Sequence, residues 1–242
     1  MAFKEFTLNE TQSVVIYKRR ASRSLRLSVS ATGQVRVTIP AWASYRAGLA
    51  FARSKQSWIA DQKQPALRLW DGQAIGKAHH LRFLPQESLA KTKPTSRVTD
   101  SEVIIRYPAA LGENDPNVQK LATAACTRAL RIQAEQLLPK RLSTLAGLHG
   151  FDYNSVAVRQ LKSRWGSCDH NSHIVLNIFL LQLPWDLIDY VLLHELTHTK
   201  VMRHGPVFWQ TLEKSLPNAK HCRKEIKLYQ PVFNSIAVSR MA

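Results

Sequence analysis

Apolar and polar residues alternate one by one along 13–40, the period of a strand with one buried face. Leu25, Leu27 and Val29 interleave with Arg26 and Ser28, and Val35, Val37 and Ile39 with Arg36 and Thr38. The intervening Ala31-Thr32-Gly33-Gln34 supplies turn chemistry, so the pattern predicts a hairpin that ends at Pro40. Over 43–63 the period changes to that of a helix, with Leu49, Phe51, Trp58 and Ile59 on the apolar side. Asp71-Gly72 and Gly76 mark turns around short strands near 73–84, and 103–107 is a further strand. The stretch 86–100, rich in Ser, Thr, Lys and Pro, reads as a mobile connection.

The second half is mostly helical in period. Asp115 can cap and Pro116 can open a long helix with an apolar stripe through Leu121, Ala125, Leu130, Leu137 and Leu138. Pro139 is expected to kink or restart it, and Gly150 to close it. Strands are expected at 156–161 and 173–177, joined by 162–168. Pro184 then starts a helix that runs into His194-Glu195, 207–216 forms another, and 221–229 is a basic helical segment. Gly112, Asn114 and Asp115 separate a β-rich half from a helical one. The expected architecture is therefore α+β, with a β-rich subdomain over 1–112 and a largely helical domain over 113–242 that holds the helix through His194-Glu195 and a small sheet. No internal repeat is present.

Charge changes the picture more than size does. At 242 residues the chain has ample core, but 34 Lys and Arg against 17 Asp and Glu leave a formal +17. Residues 1–110 carry a net +11 and 111–242 a net +6, without a dense basic run. Such a balance makes nucleic acid a possible partner and says little about fold. Cys126, Cys168 and Cys222 are scattered and form no CxxC pair, which points to free thiols in a reducing compartment. The first ten residues lack the apolar core of a signal peptide, and no apolar run reaches the ~18 residues a membrane span needs. The expectation is a cytoplasmic protein without a membrane partner; the oligomeric state is left open.

The stretch that carries chemistry is Tyr190-Val191-Leu192-Leu193-His194-Glu195-Leu196-Thr197-His198. On a helix His194 and His198 project from one face, so both imidazoles can bind one Zn²⁺. Glu195 beside them can accept a proton from a water that attacks a substrate carbonyl. His204 follows six residues after His198, where Gly205-Pro206 turns the chain, and is the natural third ligand. Elsewhere, His79 and His80 fall in a strand pattern and read as core or surface histidines.

Taken together, Arg164-Trp165-Gly166-Ser167-Cys168, Ile174-Val175-Leu176-Asn177, Pro184, Asp189-Tyr190-Val191, the His194–His198 motif, His204-Gly205 and Phe208-Trp209 resemble the YgjP-like metallopeptidase domain (DUF45, M48-type metal-dependent hydrolases). A more distant similarity is to SprT-like zinc peptidases. The likeness extends to the early strands, Trp58-Ile59 and the Gly72 to Gly76 stretch, and so covers nearly the whole chain. It implies a zincin-like catalytic domain, metal ligands at His194, His198 and His204, and a catalytic glutamate at Glu195. The spacing to His204 also matches metzincins, but Val201 stands where their helix-ending glycine would be and no Met-turn follows. Asp169-His170-Asn171-Ser172-His173 departs from the family pattern. His170 and His173 could be donors, extra ligands or plain loop histidines. Cys168 could be a regulatory thiol or a packing residue, and Arg164 a substrate anchor or an internal ion-pair partner.

The expected function is a zinc-dependent metallohydrolase acting on a peptide or protein substrate. Hydrolysis of nucleotide phosphoanhydrides is the alternative, with Arg164 and the basic surface available to phosphates. A nucleic-acid-associated, SprT-like protease, or a protein whose metal is purely structural, is the other.

Overall fold

The computed structural model describes residues 3–9, 12–30, 33–62, 68–87 and 93–233. The chain divides into two compact units, Met1–Leu67 and Arg68–Ala242.

Unit 1 is a four-stranded sheet with helices on one face. Its strands are β1 (Phe3–Asn9), β2 (Gln12–Arg19), β3 (Arg26–Val29) and β4 (Val35–Pro40), in the order β1-β2-β4-β3. The β3–β4 hairpin forms as the alternation predicts, and β2 pairs β4 in parallel. The segment 43–63 becomes two helices, α1 (Tyr45–Ser54) and α2 (Gln56–Gln62). Ser44 caps α1 by accepting from the Ala47 amide. Gly48 lets α1 lie close on the sheet, because a Cβ there would stand 3.0 Å from both Ile16 and Ile39. Leu8, Val14, Ile16, Val35, Val37, Ile39, Ala52 and Ile59 form the core.

Unit 2 is built on one long helix. A sheet of order β5-β6-β8-β7 comprises β5 (Ala74–Ile75), β6 (His79–Gln86), β7 (Thr95–Val98) and β8 (Glu102–Pro108). Helix α3 (Pro116–His149) follows, then β9 (Ser155–Arg159), β10 (Gly166–Cys168) and β11 (His173–Asn177) in the order β10-β11-β9. A 3-10 turn (Ile178–Gln182), α4 (Trp185–His198), α5 (Pro206–Ser215), α6 (Ala219–Glu225) and a last 3-10 turn (Ile226–Leu228) complete it. No described helix is long and apolar enough to cross a membrane.

Several expectations shift. The units divide at Leu67/Arg68 rather than at the 112/113 junction, because Ile75, Leu81, Val103 and Ile105 share a core with Val118, Ala122 and Ala125 of α3. Gly112–Asp115 is thus a turn inside one unit. Helix α3 runs through Pro139 unbroken. The carbonyl that Pro139 leaves without a donor belongs to Glu135, an exposed residue, where water can take it. The buried seam of α3 is Ala-rich (Ala122, Ala125, Ala129, Ala134), and Leu121 and Leu137 are only half-buried. Small side chains bring the helix axis close to its neighbours. Within 86–100, residues 93–98 include β7, which pairs antiparallel with β8, while 88–92 lie outside the described residues. The joint 162–168 contains β10.

One polar side chain organises the centre of unit 2. Gln133 accepts from the Lys77 and Ala78 amides at 2.7 and 3.1 Å, and its Nε2 donates to the Ile75 carbonyl at 2.9 Å. Its Nε2 also lies 2.6 Å from His79 Nδ1, and His79 Nε2 lies 2.8 Å from the Thr99 carbonyl. His79 is therefore a satisfied core histidine, as its strand position suggested. Gln133→Leu strands these groups in a buried setting, so we expect a loss of about 3 kcal/mol in chemical denaturation. An unchanged midpoint would contradict the role assigned to Gln133.

Candidate metal centre

Helix α4 is apolar almost all round, with Leu187, Ile188, Val191, Leu192, Leu193 and Leu196 buried, and so it is seated deep in the core. The side chains of Arg141 and Asp189 fasten it to α3 through a two-pronged ion pair at 2.8 and 2.5 Å. Its last turns carry His194 and His198, one helical turn apart. After Thr199 the chain leaves the helix, and Gly205 and Pro206 open α5. His204, in that short loop, is thereby brought back over the end of α4.

The three imidazoles converge. His204 Nε2 lies 3.0 Å from His194 Nε2 and 3.1 Å from His198 Nε2. Tetrahedral Zn–N bonds of about 2.0–2.1 Å would set ligand nitrogens about 3.3 Å apart, so the spacing suits one small cation. Phe208, fully buried on α5, packs against all three rings with centroids at 4.9, 4.6 and 4.7 Å from His194, His198 and His204. Trp209 stacks on His204 at 5.8 Å, and the Arg223 guanidinium lies 4.0 Å above the Trp209 ring. His198 Nδ1 is 3.2 Å from the Val201 carbonyl, a contact that fixes the tautomer and leaves the Nε2 lone pair facing the cluster. His194 Nδ1 is buried without a hydrogen-bond partner.

Burial, helped by the neighbouring rings, pushes His194 down to about 3; burial and His204 also lower His198. Both rings are neutral at pH 7, the state in which imidazole binds a cation. The chemistry and placement of the donor set therefore fit a divalent metal.

Glu195 is 6% exposed. Burial pushes its carboxyl up to about 8, against the pull of Arg164. It rests on the backbone of β10: a Cβ on Gly166 would come 2.8 Å from Glu195 Oε1 and 2.9 Å from its Cγ. Any side chain there would push the Glu195 carboxyl from this position, which gives the Trp165-Gly166 pair a physical meaning. The approach to β10 is set by Asn177, which is fully buried. Its Nδ2 donates to the Leu161 and Arg164 carbonyls at 2.9 and 2.8 Å, and its backbone amide donates to Trp165. In the sequence Asn177 was visible as the end of the strand 173–177 and as one of the residues that carry the resemblance, without a structural role.

The other candidates stay outside the cluster. Cys168 is half-buried on β10 with its thiol pushed up to about 11, mainly by burial and then by Glu195, so it is a thiol and not a thiolate at neutral pH. His173 Nδ1 lies 3.5 Å from Asp169 Oδ2, and Asp169 also accepts the Asn171 and His173 amides, which shapes the turn. His170 is exposed beside it. Arg164 is exposed and acts on Glu195 only electrostatically.

A family model described as YgjP-like, metallopeptidase domain, matches residues 23–229. The chain belongs to this family. Membership makes it a metallopeptidase-family hydrolase, implies a divalent metal that the histidine triad could hold, and suggests peptide or protein substrates. Among solved structures it is similar to the metallopeptidase zymogen of Pyrococcus abyssi abylysin, with 26% identity, 38% of this chain and 93% of that chain covered, and a TM-score of 0.35. It is also similar to the metallopeptidase zymogen of Methanocaldococcus jannaschii jannalysin, with 20% identity, 38% and 97% covered, and a TM-score of 0.34. Superpositions this loose carry no weight for the fold. No curated protein matches the chain.

Two predictions follow from this packing. Phe208→Ala removes the ring common to all three imidazoles and should cost about 3–5 kcal/mol in stability, with a weakened metal titration; metal affinity equal to wild type would show that Phe208 does not organise the triad. In the metal-free protein, the native state holds the Glu195 proton between pH 4.5 and about 8 while the unfolded state has lost it, so this group lowers stability as pH rises. Glu195→Gln should remove that loss, and its stability advantage over wild type should grow across this window. A constant difference would contradict a buried, proton-holding Glu195.

Proposed function

We propose that His194, His198 and His204 hold one Zn²⁺ and that Glu195 is the general base of a peptide hydrolase. The observation that carries this is the convergence of the His194 and His198 Nε2 atoms on that of His204, at 3.0 and 3.1 Å, beside a carboxyl one residue along the same helix. When bound, the ion would polarise the scissile carbonyl and acidify a water. Glu195 takes the proton of that water and later delivers it to the leaving amine. A dication next to Glu195 favours the carboxylate, which opposes the effect of burial and readies the residue to act as a base. Strand β10 is an edge of its sheet and touches Glu195 through Gly166, so an extended peptide laid along that edge would pass the carboxylate. This edge favours peptide over nucleotide; Arg164 would then meet a carboxylate group of the substrate. The three unpaired cysteines support a reducing, cytoplasmic setting.

The test compares wild type with Glu195→Gln and His204→Ala by metal analysis and by assays on an unfolded protein and a panel of nucleoside triphosphates. Wild type should hold about one zinc and cleave protein. Glu195→Gln should keep the zinc and lose at least ~10³-fold in turnover, because the ligands remain and only the base is gone. His204→Ala should lose the metal. Activity retained in Glu195→Gln would overturn the mechanism, and phosphate release without proteolysis would move the substrate to nucleotides.

A further inference from the structure

The sheet of unit 1 has two unlike faces. On the helix side Val14, Ile16, Val35, Val37 and Ile39 are buried against α1, and the cations there are engaged. Lys4 and Lys18 lie 5.4 and 5.0 Å from the Tyr45 ring centroid, and Lys18 also donates to the Ala41 carbonyl.

The opposite face is read off the strand register. One row across the sheet runs Phe3, Tyr17, Thr38, Arg26. In the adjacent row Arg36 stands opposite Val15, and Arg19 follows Tyr17 at the end of β2 on the same face. Phe3 is 60% exposed and its ring lies 5.6 Å from that of Tyr17, tilted by 33°. An aromatic pair at the edge of the sheet, Phe3 exposed and Tyr17 half-buried, is a platform on which flat ligands can stack.

The charge of unit 1 is strongly positive. Unit 1 carries 11 Lys and Arg against three Asp and Glu, a net +8 in 67 residues and nearly half the excess of the whole chain. Every ion pair among the described residues lies in unit 2, so Arg19, Arg26 and Arg36 have no carboxylate partner among the described residues. Gln34 holds the Arg36 fork through Nε and Nη2 at 2.9 and 2.7 Å. The carboxylate on the face, Glu5, accepts the Ser13 hydroxyl at 2.5 Å.

We propose that this face, with Phe3, Tyr17, Arg19, Arg26 and Arg36, binds single-stranded nucleic acid. The rings stack on unpaired bases, and the guanidinium groups meet the flanking phosphates. A duplex cannot offer its base faces to a sheet, which is why the partner is single-stranded. The site uses none of the residues of the metal centre and stands or falls apart from the hydrolase reading.

The test is fluorescence anisotropy of the full chain with labelled single-stranded RNA and DNA of about 20 nucleotides, over a salt series starting near ~50 mM. A duplex and a polyglutamate peptide serve as comparisons. Phe3→Ala and Tyr17→Ala should each weaken binding about tenfold and leave the salt slope unchanged. Arg26→Gln with Arg36→Gln should reduce that slope by about 1.4, at ~0.7 per phosphate contact. Binding to either strand type with this pattern supports the proposal, and the tighter one names the partner. No binding at low salt, wild-type affinity in Phe3→Ala (an exposed position whose loss leaves the core intact), or equal affinity for the duplex or for polyglutamate would overturn it.

Discussion

The convergence of the His194 and His198 imidazoles on His204, Nε2 to Nε2 at 3.0 and 3.1 Å, is the constraint on which the candidate site depends. At this distance His204 Nε2–H can donate to only one of its two neutral neighbours, and protonated rings repel. Their convergence must therefore be imposed by packing. Helix α4 supplies two of them from one face of a deeply buried rod, and the turn before Gly205 returns the third. Phe208 touches all three, so a single apolar side chain sets the spacing of the polar ones. The Arg141–Asp189 pair fastens the rod to α3.

The same burial that makes the site rigid works against its chemistry. It keeps His194 and His198 neutral, which suits metal binding, but it also favours the protonated form of Glu195, against the base role proposed for it. A dication is the one change that resolves both, since it binds neutral imidazole and favours carboxylate. The backbone of Gly166 leaves no room for another side chain against that carboxyl. Burial, the triad and β10 thus form one electrostatic arrangement rather than three separate features.

Much of this was legible in the sequence where spacing alone decides geometry. The i, i+4 histidines, the Gly205-Pro206 turn, the Asp115 cap and the β3–β4 hairpin all depend on local periods and end signals. What was not legible depends on contacts distant in sequence. The boundary at 67/68 follows from strands packing on a helix 40 residues later, and alanines on α3 give a weak hydrophobic signal although they form the tightest seam. Strands β7 and β10 are too short to show a period. In the sequence Gly166 falls in the joint 162–168 and Asn177 at the end of the strand 173–177; their roles appear only once β10 is set against α4.

The most direct test of the central claim is X-ray absorption at the zinc edge of the metal-loaded protein. The account predicts a four-coordinate ion with nitrogen and oxygen neighbours at about 2.0–2.1 Å, three of them showing imidazole scattering, and no sulfur. A sulfur neighbour near about 2.3 Å would bring in Cys168, and four imidazoles would make the site a closed structural one. Either result would contradict a three-histidine site left open for catalysis.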